Sequence, residues 1–135
     1  MNLRDWFERH RLPLRRLWVF GLVAYLGVIA LASLLPPPEL PMDPGRYDKL
    51  WHAAGYALAA LLCVPLWRSA RALLLAGLAL LGYGLLLELL QAQTAARSGD
   101  WLDALANGSG VAIGLLAALT PWRGCLQQRD TPGPE

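Results

Sequence analysis

Four apolar stretches, residues 17–35, 50–67, 72–90 and 101–120, follow one another through a chain of 135 residues. About 20 apolar residues are what a helix needs to cross a bilayer core of roughly 30 Å, and helices satisfy their own backbone where no water reaches. Apolar residues make up 56% of the chain and the mean hydropathy is +0.36. A water-soluble domain of this size would lack the polar residues to cover its surface. The sequence therefore predicts an all-α, polytopic membrane protein with four transmembrane helices packed as a bundle over residues 17–120. A basic segment, 1–16, precedes the bundle, and a disordered tail, 121–135, follows it.

Lys and Arg are retained on the cytoplasmic side of short loops. Arg4, Arg9, Arg11, Arg15, Arg16, Arg68, Arg71, Arg123 and Arg129 flank one set of span ends, and only Arg46, Lys49 and Arg97 flank the other. Both termini are expected inside. The localisation that follows is a bacterial-type cytoplasmic (inner) membrane, multi-pass, with the poorly basic side outward. The Trp residues agree, because indole rings settle at the headgroup interface: Trp18, Trp67 and Trp122 fall at the inner boundary, Trp51 and Trp101 at the outer one. The basic N-terminus suits anionic inner-leaflet lipid better than nucleic acid.

The first apolar run is longer than a signal-peptide core and continues past Ala30-Leu31-Ala32, so it is expected to stay as an anchor. Before Pro13, the segment with Leu3, Trp6 and Phe7 reads either as a short interfacial helix or as a frayed polar tail. The outer connection, 36–48, opens Pro36-Pro37-Pro38 and contains Pro41 and Pro44-Gly45. It is expected to be extended before a turn, serving as a rim or a plain connector. Cys63 lies in a span and Cys125 in the tail, so no disulfide is expected between them. The chain has no Gly-rich phosphate loop, zinc-type Cys pair, nucleophile elbow or internal repeat.

Ionisable groups at membrane depth are costly enough that pairing, binding or chemistry is their default explanation. Asp48, His52 and Tyr56 repeat every four residues and share one helix face as the second segment enters from outside. In this column Asp48 could hold one ring nitrogen of His52 and leave the other free for a proton or a metal. His52 and Tyr56 also read simply as interfacial polar tips. The third segment ends outward in Glu88 and Gln91, three residues apart. Within hydrocarbon the Glu88 carboxyl must take up a proton or find a cation, with Lys49 and Arg97 at hand. The fourth segment returns with Asp100, Asp103, Asn107, Gly110 and Gly114 on one face. Ser98 or Asp100 can cap it, and the two glycines invite close helix packing and permit a homo-oligomer.

The ordered pattern Asp48-Lys49-x-x-His52-x-x-x-Tyr56, then Glu88-x-x-Gln91, then Arg97-x-x-Asp100-x-x-Asp103-x-x-x-Asn107-x-x-Gly110 resembles the VanZ-like family of small integral membrane proteins. The resemblance covers about residues 44–118. It implies a multi-span helical membrane protein, and its founding member is associated with low-level resistance to the glycopeptide antibiotic teicoplanin. No particular reaction comes with it.

Two classes of function fit this set. In one, an enzyme acts at the outer leaflet on a lipid or lipid-linked cell-envelope precursor. His52 is its general acid or base oriented by Asp48, Glu88 and Asp103 are proton carriers or ligands of a divalent metal, and Lys49 and Arg97 hold an anionic headgroup. Tyr56, Gln91, Asp100 and Asn107 complete the binding set. The same carboxylates can equally pair with the two cations, which leaves the metal open. In the other class the network binds a headgroup or glycopeptide without turnover, or only clamps the helices.

Overall fold

The computed structural model describes residues 11–35, 44–93 and 100–120. Among them the chain is all-helical: α1 (Arg11–Leu34), α2 (Pro44–Cys63), α3 (Ala70–Gln91) and α4 (Trp101–Leu116), the last running into a 3-10 turn, Ala117–Leu119. Each start has a local cause. Pro13 falls in the first turn of α1 and Pro44 is the first residue of α2, where a missing N–H breaks no helical bond. The Ser69 hydroxyl accepts from the Ala72 amide and the Asp100 carboxylate from the Leu102 amide, capping α3 and α4.

Three stretches are long and apolar enough to cross a membrane: Arg16–Leu34, Ala70–Gln91 and Trp101–Leu119. The second helix departs from the expected span over 50–67. It begins at Pro44, where an extended connection ending in a turn was expected, and it stops at Cys63, followed by a turn over residues 64–66. Its apolar part, 50–63, covers only about 21 Å at 1.5 Å per residue. This helix is also the most enclosed: Tyr56, Ala59, Ala60 and Cys63 are almost completely buried. One face of α2 is thus turned to the protein core, while Leu50, Trp51, Leu58 and Leu61 stay exposed on the other.

Cross-helix contacts fix the directions. On α1, Trp18 Nε1 donates to the Leu62 carbonyl at 2.8 Å and the Tyr25 hydroxyl to the Gly55 carbonyl at 3.0 Å, so α1 and α2 are antiparallel. The Tyr83 hydroxyl donates to the Leu26 carbonyl at 2.7 Å and Gln91 Nε2 to the Ser33 carbonyl at 2.8 Å, so α3 runs with α1. Gly110 and Gly114 of α4 lie against Ala53, Ala57 and Ala60 of α2, which makes α4 parallel to α2. The helices therefore alternate up and down, and the ends near 34, 44, 91 and 101 share one end of the bundle.

The core joins Leu22, Tyr56, Ala59, Ala60, Cys63, Leu80 and Val111 from all four helices. Outward faces are strongly apolar, with Leu17, Phe20, Leu31, Leu74, Ile113 and Leu119 among the exposed side chains. Apolar groups on this scale around the belt of a small bundle match lipid rather than water. Trp51 and Trp101 are both exposed, on the outer turns of α2 and α4 at the end that carries the polar cluster. The segment with Trp6 and Phe7, the connection 36–43, and the tail with Trp122 and Cys125 lie outside the described residues.

Candidate functional site

The close crossing of α2 on α4 assembles the polar residues. On the face where Gly110 and Gly114 remove every side-chain spacer, the outer turns of the two helices meet, and Lys49 reaches across. Its ammonium contacts Asp100 Oδ2 at 2.6 Å and Asp103 Oδ1 at 2.5 Å. Lys49 thus ties two carboxylates of α4 to α2. Of the roles open to it, holding an anion or pairing with the carboxylates of the site, Lys49 takes the second, on Asp103 and also on Asp100, which helix α2 reaches because it begins early enough to bring Lys49 level with the α4 cap.

This bridge shifts both of its outer groups. Hydrogen bonds to Asp100 and Asp103 push the Lys49 ammonium above its ordinary value of 10.5, and Lys49 with the Leu102 amide pulls the Asp100 carboxyl below 3.8. A raised Lys contributes stability below its unfolded value that is lost as pH rises through the folded one. A lowered Asp contributes above its unfolded value and loses it as pH falls through the folded one. The bridge is thus expected to be complete between the ordinary values of 3.8 and 10.5. Thermal unfolding of wild type and Lys49→Gln in micelles should differ by a constant amount across that window, with the gap closing in acid as Asp100 protonates. A gap that varies between neutral pH and mild acid would count against the bridge.

His52 lies one turn deeper. Its Nδ1 is 3.0 Å from Asn107 Oδ1, an atom that only accepts, so Nδ1 carries the proton. Asn107, and not Asp48, therefore sets the tautomer. The other nitrogen, Nε2, faces Asp48 Oδ1 at 3.9 Å and Asp103 Oδ2 at 4.0 Å, beyond hydrogen-bond length for either. These three donor atoms lie within 4.8 Å of one another.

Glu88 and Tyr56 close the inner side. Glu88 is 8% exposed and Tyr56 2%, yet among the described residues Glu88 Oε2 and the Tyr56 hydroxyl have no hydrogen-bond partner. The other Glu88 contact is the backbone amide of Asp100, and the carboxyl is electrostatically coupled to Asp103, His52 and Asp48. Tyr56 and Asn107 both pack on Gly84, where an added Cβ would stand 3.0 Å from the tyrosine hydroxyl and from Asn107 Nδ2. Gly84 was not foreseen as part of the site. Its signal was present, one turn before Glu88 on the same face of α3.

Of the expected site residues, the structure brings together Asp48, Lys49, His52, Tyr56, Glu88, Asp100, Asp103 and Asn107. Gln91 is on the same face of α3 but donates to the Ser33 carbonyl of α1, so that bond serves as a helix tie. Arg97 lies outside the described residues. No protein-family model, curated protein or solved structure matches the chain.

Proposed function

We propose that this is a VanZ-like membrane protein whose four helices all cross a bacterial-type cytoplasmic membrane, with both termini inside and the polar cluster facing outward. There it binds the polar head of a lipid or lipid-linked cell-envelope molecule. The pair of buried, unpartnered polar atoms carries this reading. Leaving a buried donor or acceptor unmade costs about 1–3 kcal/mol, and Glu88 Oε2 and the Tyr56 hydroxyl both sit beside the same cluster. A ligand head entering from the outer end would satisfy them. The alternating helix directions and the exposed Trp51 and Trp101 at that end support the topology, and the residue pattern supports the family and its link to glycopeptide resistance. In a version that modifies its ligand, His52 Nε2 is the acid–base group, held in one tautomer by Asn107.

A second reading has its own observation. Lys49 on Asp100 and Asp103, and His52 on Asn107, each join α2 to α4, as a helix clamp without a ligand would require. Tyr56→Phe separates the two. Removing a hydroxyl that bonds to nothing leaves a pure clamp at least as stable as before, with nothing else lost. If the hydroxyl waits for a ligand, native mass spectrometry of purified wild type should show retained lipid, and the folded Tyr56→Phe protein should retain several-fold less. Equal retention by both, or none by wild type, favours the clamp.

A further inference from the structure

We propose that Asp48 Oδ1, His52 Nε2 and Asp103 Oδ2 are the protein ligands of a divalent transition-metal ion, with Glu88 as a fourth carboxylate beside it. The inference deepens the reading of this cluster as a ligand site.

The tautomer carries the argument. In the neutral ring, with Nδ1 donating to Asn107, Nε2 presents a lone pair toward two carboxylate oxygens at 3.9 and 4.0 Å. In that tautomer three electron-rich atoms converge with no hydrogen bond among them, an arrangement that a cation held between them would stabilise. Lys49 does not fill that role. Its ammonium is on the opposite oxygen of Asp103, Oδ1, and on Asp100. Among the described residues the carboxylates of Asp48, Asp100 and Asp103 outnumber the Lys49 ammonium, so a divalent ion reduces the charge mismatch instead of adding to it.

Dimensions agree. A tetrahedral ion with bonds of ~2.1 Å holds adjacent ligand atoms about 3.4 Å apart, so the nitrogen–oxygen separations of 3.9 and 4.0 Å need to close by roughly half an ångström and the two carboxylate oxygens, within 4.8 Å of each other, by up to about 1.4 Å. One imidazole with two carboxylates suits Zn²⁺ or Mn²⁺, and the imidazole disfavours Ca²⁺ and Mg²⁺. A second, independent sign is Glu88, more than nine-tenths buried with Oε2 unpartnered and coupled to Asp103, His52 and Asp48. Asn107 supplies the outer hydrogen bond that metal-bound imidazoles characteristically make on their far nitrogen.

The test uses the full chain, purified in micelles without a polyhistidine tag and stripped with a chelator. Equilibrium dialysis against Zn²⁺, and separately Mn²⁺, is followed by elemental mass spectrometry of the bound ion. One ion per chain is expected in wild type. Asp48→Asn should weaken binding at least about tenfold at unchanged helix content, since Asp48 takes no part in the Lys49 or His52–Asn107 clamps. No stoichiometric ion in folded wild type, or Asp48→Asn binding as wild type does, overturns the site. Lipid retained in the same preparations while no ion is taken up overturns the metal and leaves the headgroup reading standing. An ion bound by protein that retains no lipid does the reverse.

Discussion

Gly110→Ala and Gly114→Ala, each made alone, are expected to destabilise the bundle by about 3 kcal/mol, at the upper end of what overpacking costs. The reason is backbone against backbone. A Cβ at Gly110 overlaps the Ala53 carbonyl oxygen and lies 3.0 Å from the Ala57 nitrogen; at Gly114 it overlaps the Ala57 carbonyl oxygen and meets the Ala60 Cβ at 2.7 Å. A flexible side chain could swing away from such an intruder, but a helical carbonyl cannot, so α2 and α4 must separate. Gly21→Ala and Gly82→Ala are the controls, because a Cβ there meets nothing within 4 Å. Denaturant unfolding in micelles should show the first pair strongly weakened and the second pair unchanged or slightly firmer. Either core variant within about 0.5 kcal/mol of wild type, the usual range of an inert surface change, would mean that the two helices are not packed backbone to backbone.

The same separation would reach the site. Lys49 contacts Asp100 and Asp103, and His52 contacts Asn107, only because the small faces of α2 and α4 let the helices close. Gly110→Ala should therefore impair ion and lipid retention without touching a polar residue.

The faces were legible in the sequence, and the partners were not. Asp48, His52 and Tyr56 at i,i+4, and Asp103, Asn107, Gly110 and Gly114 at the 3-4 stagger, declare which side of each helix turns inward. Asp103, Asn107, Gly110 and Gly114 are indeed buried, with Glu88 and Gln91. Which atom each would choose depends on the offset between helices, and that offset is set by glycine contacts no spacing rule contains. Hence Asn107 holds His52 where Asp48 was expected, and Gln91 turns to the Ser33 carbonyl. The second helix was misjudged at both ends for a related reason. Pro44-Gly45 has the composition of a turn, but proline is equally at home as a first helical residue. At the other end, the apolar run through Val64, Leu66 and Trp67 continues in sequence after the helix has stopped.

Glu88→Gln is expected to leave a folded protein, with stability within about 1 kcal/mol of wild type, that retains neither ion nor lipid at the wild-type level. The amide keeps an oxygen for the Asp100 N–H, the hydrogen bond Glu88 makes among the described residues. It replaces the unpartnered Oε2 with a donor, and so removes the acceptor that an ion or a ligand proton would use. A clamp has no reason to notice: Lys49 stays on Asp100 and Asp103, and His52 stays on Asn107. The two readings therefore part at this residue. A drop of tenfold or more in retained ligand at matched yield and helix content places Glu88 in the binding chemistry. A variant that binds as wild type does makes its burial a matter of packing alone, and a variant that unfolds makes Glu88 part of the clamp through its bond to α4.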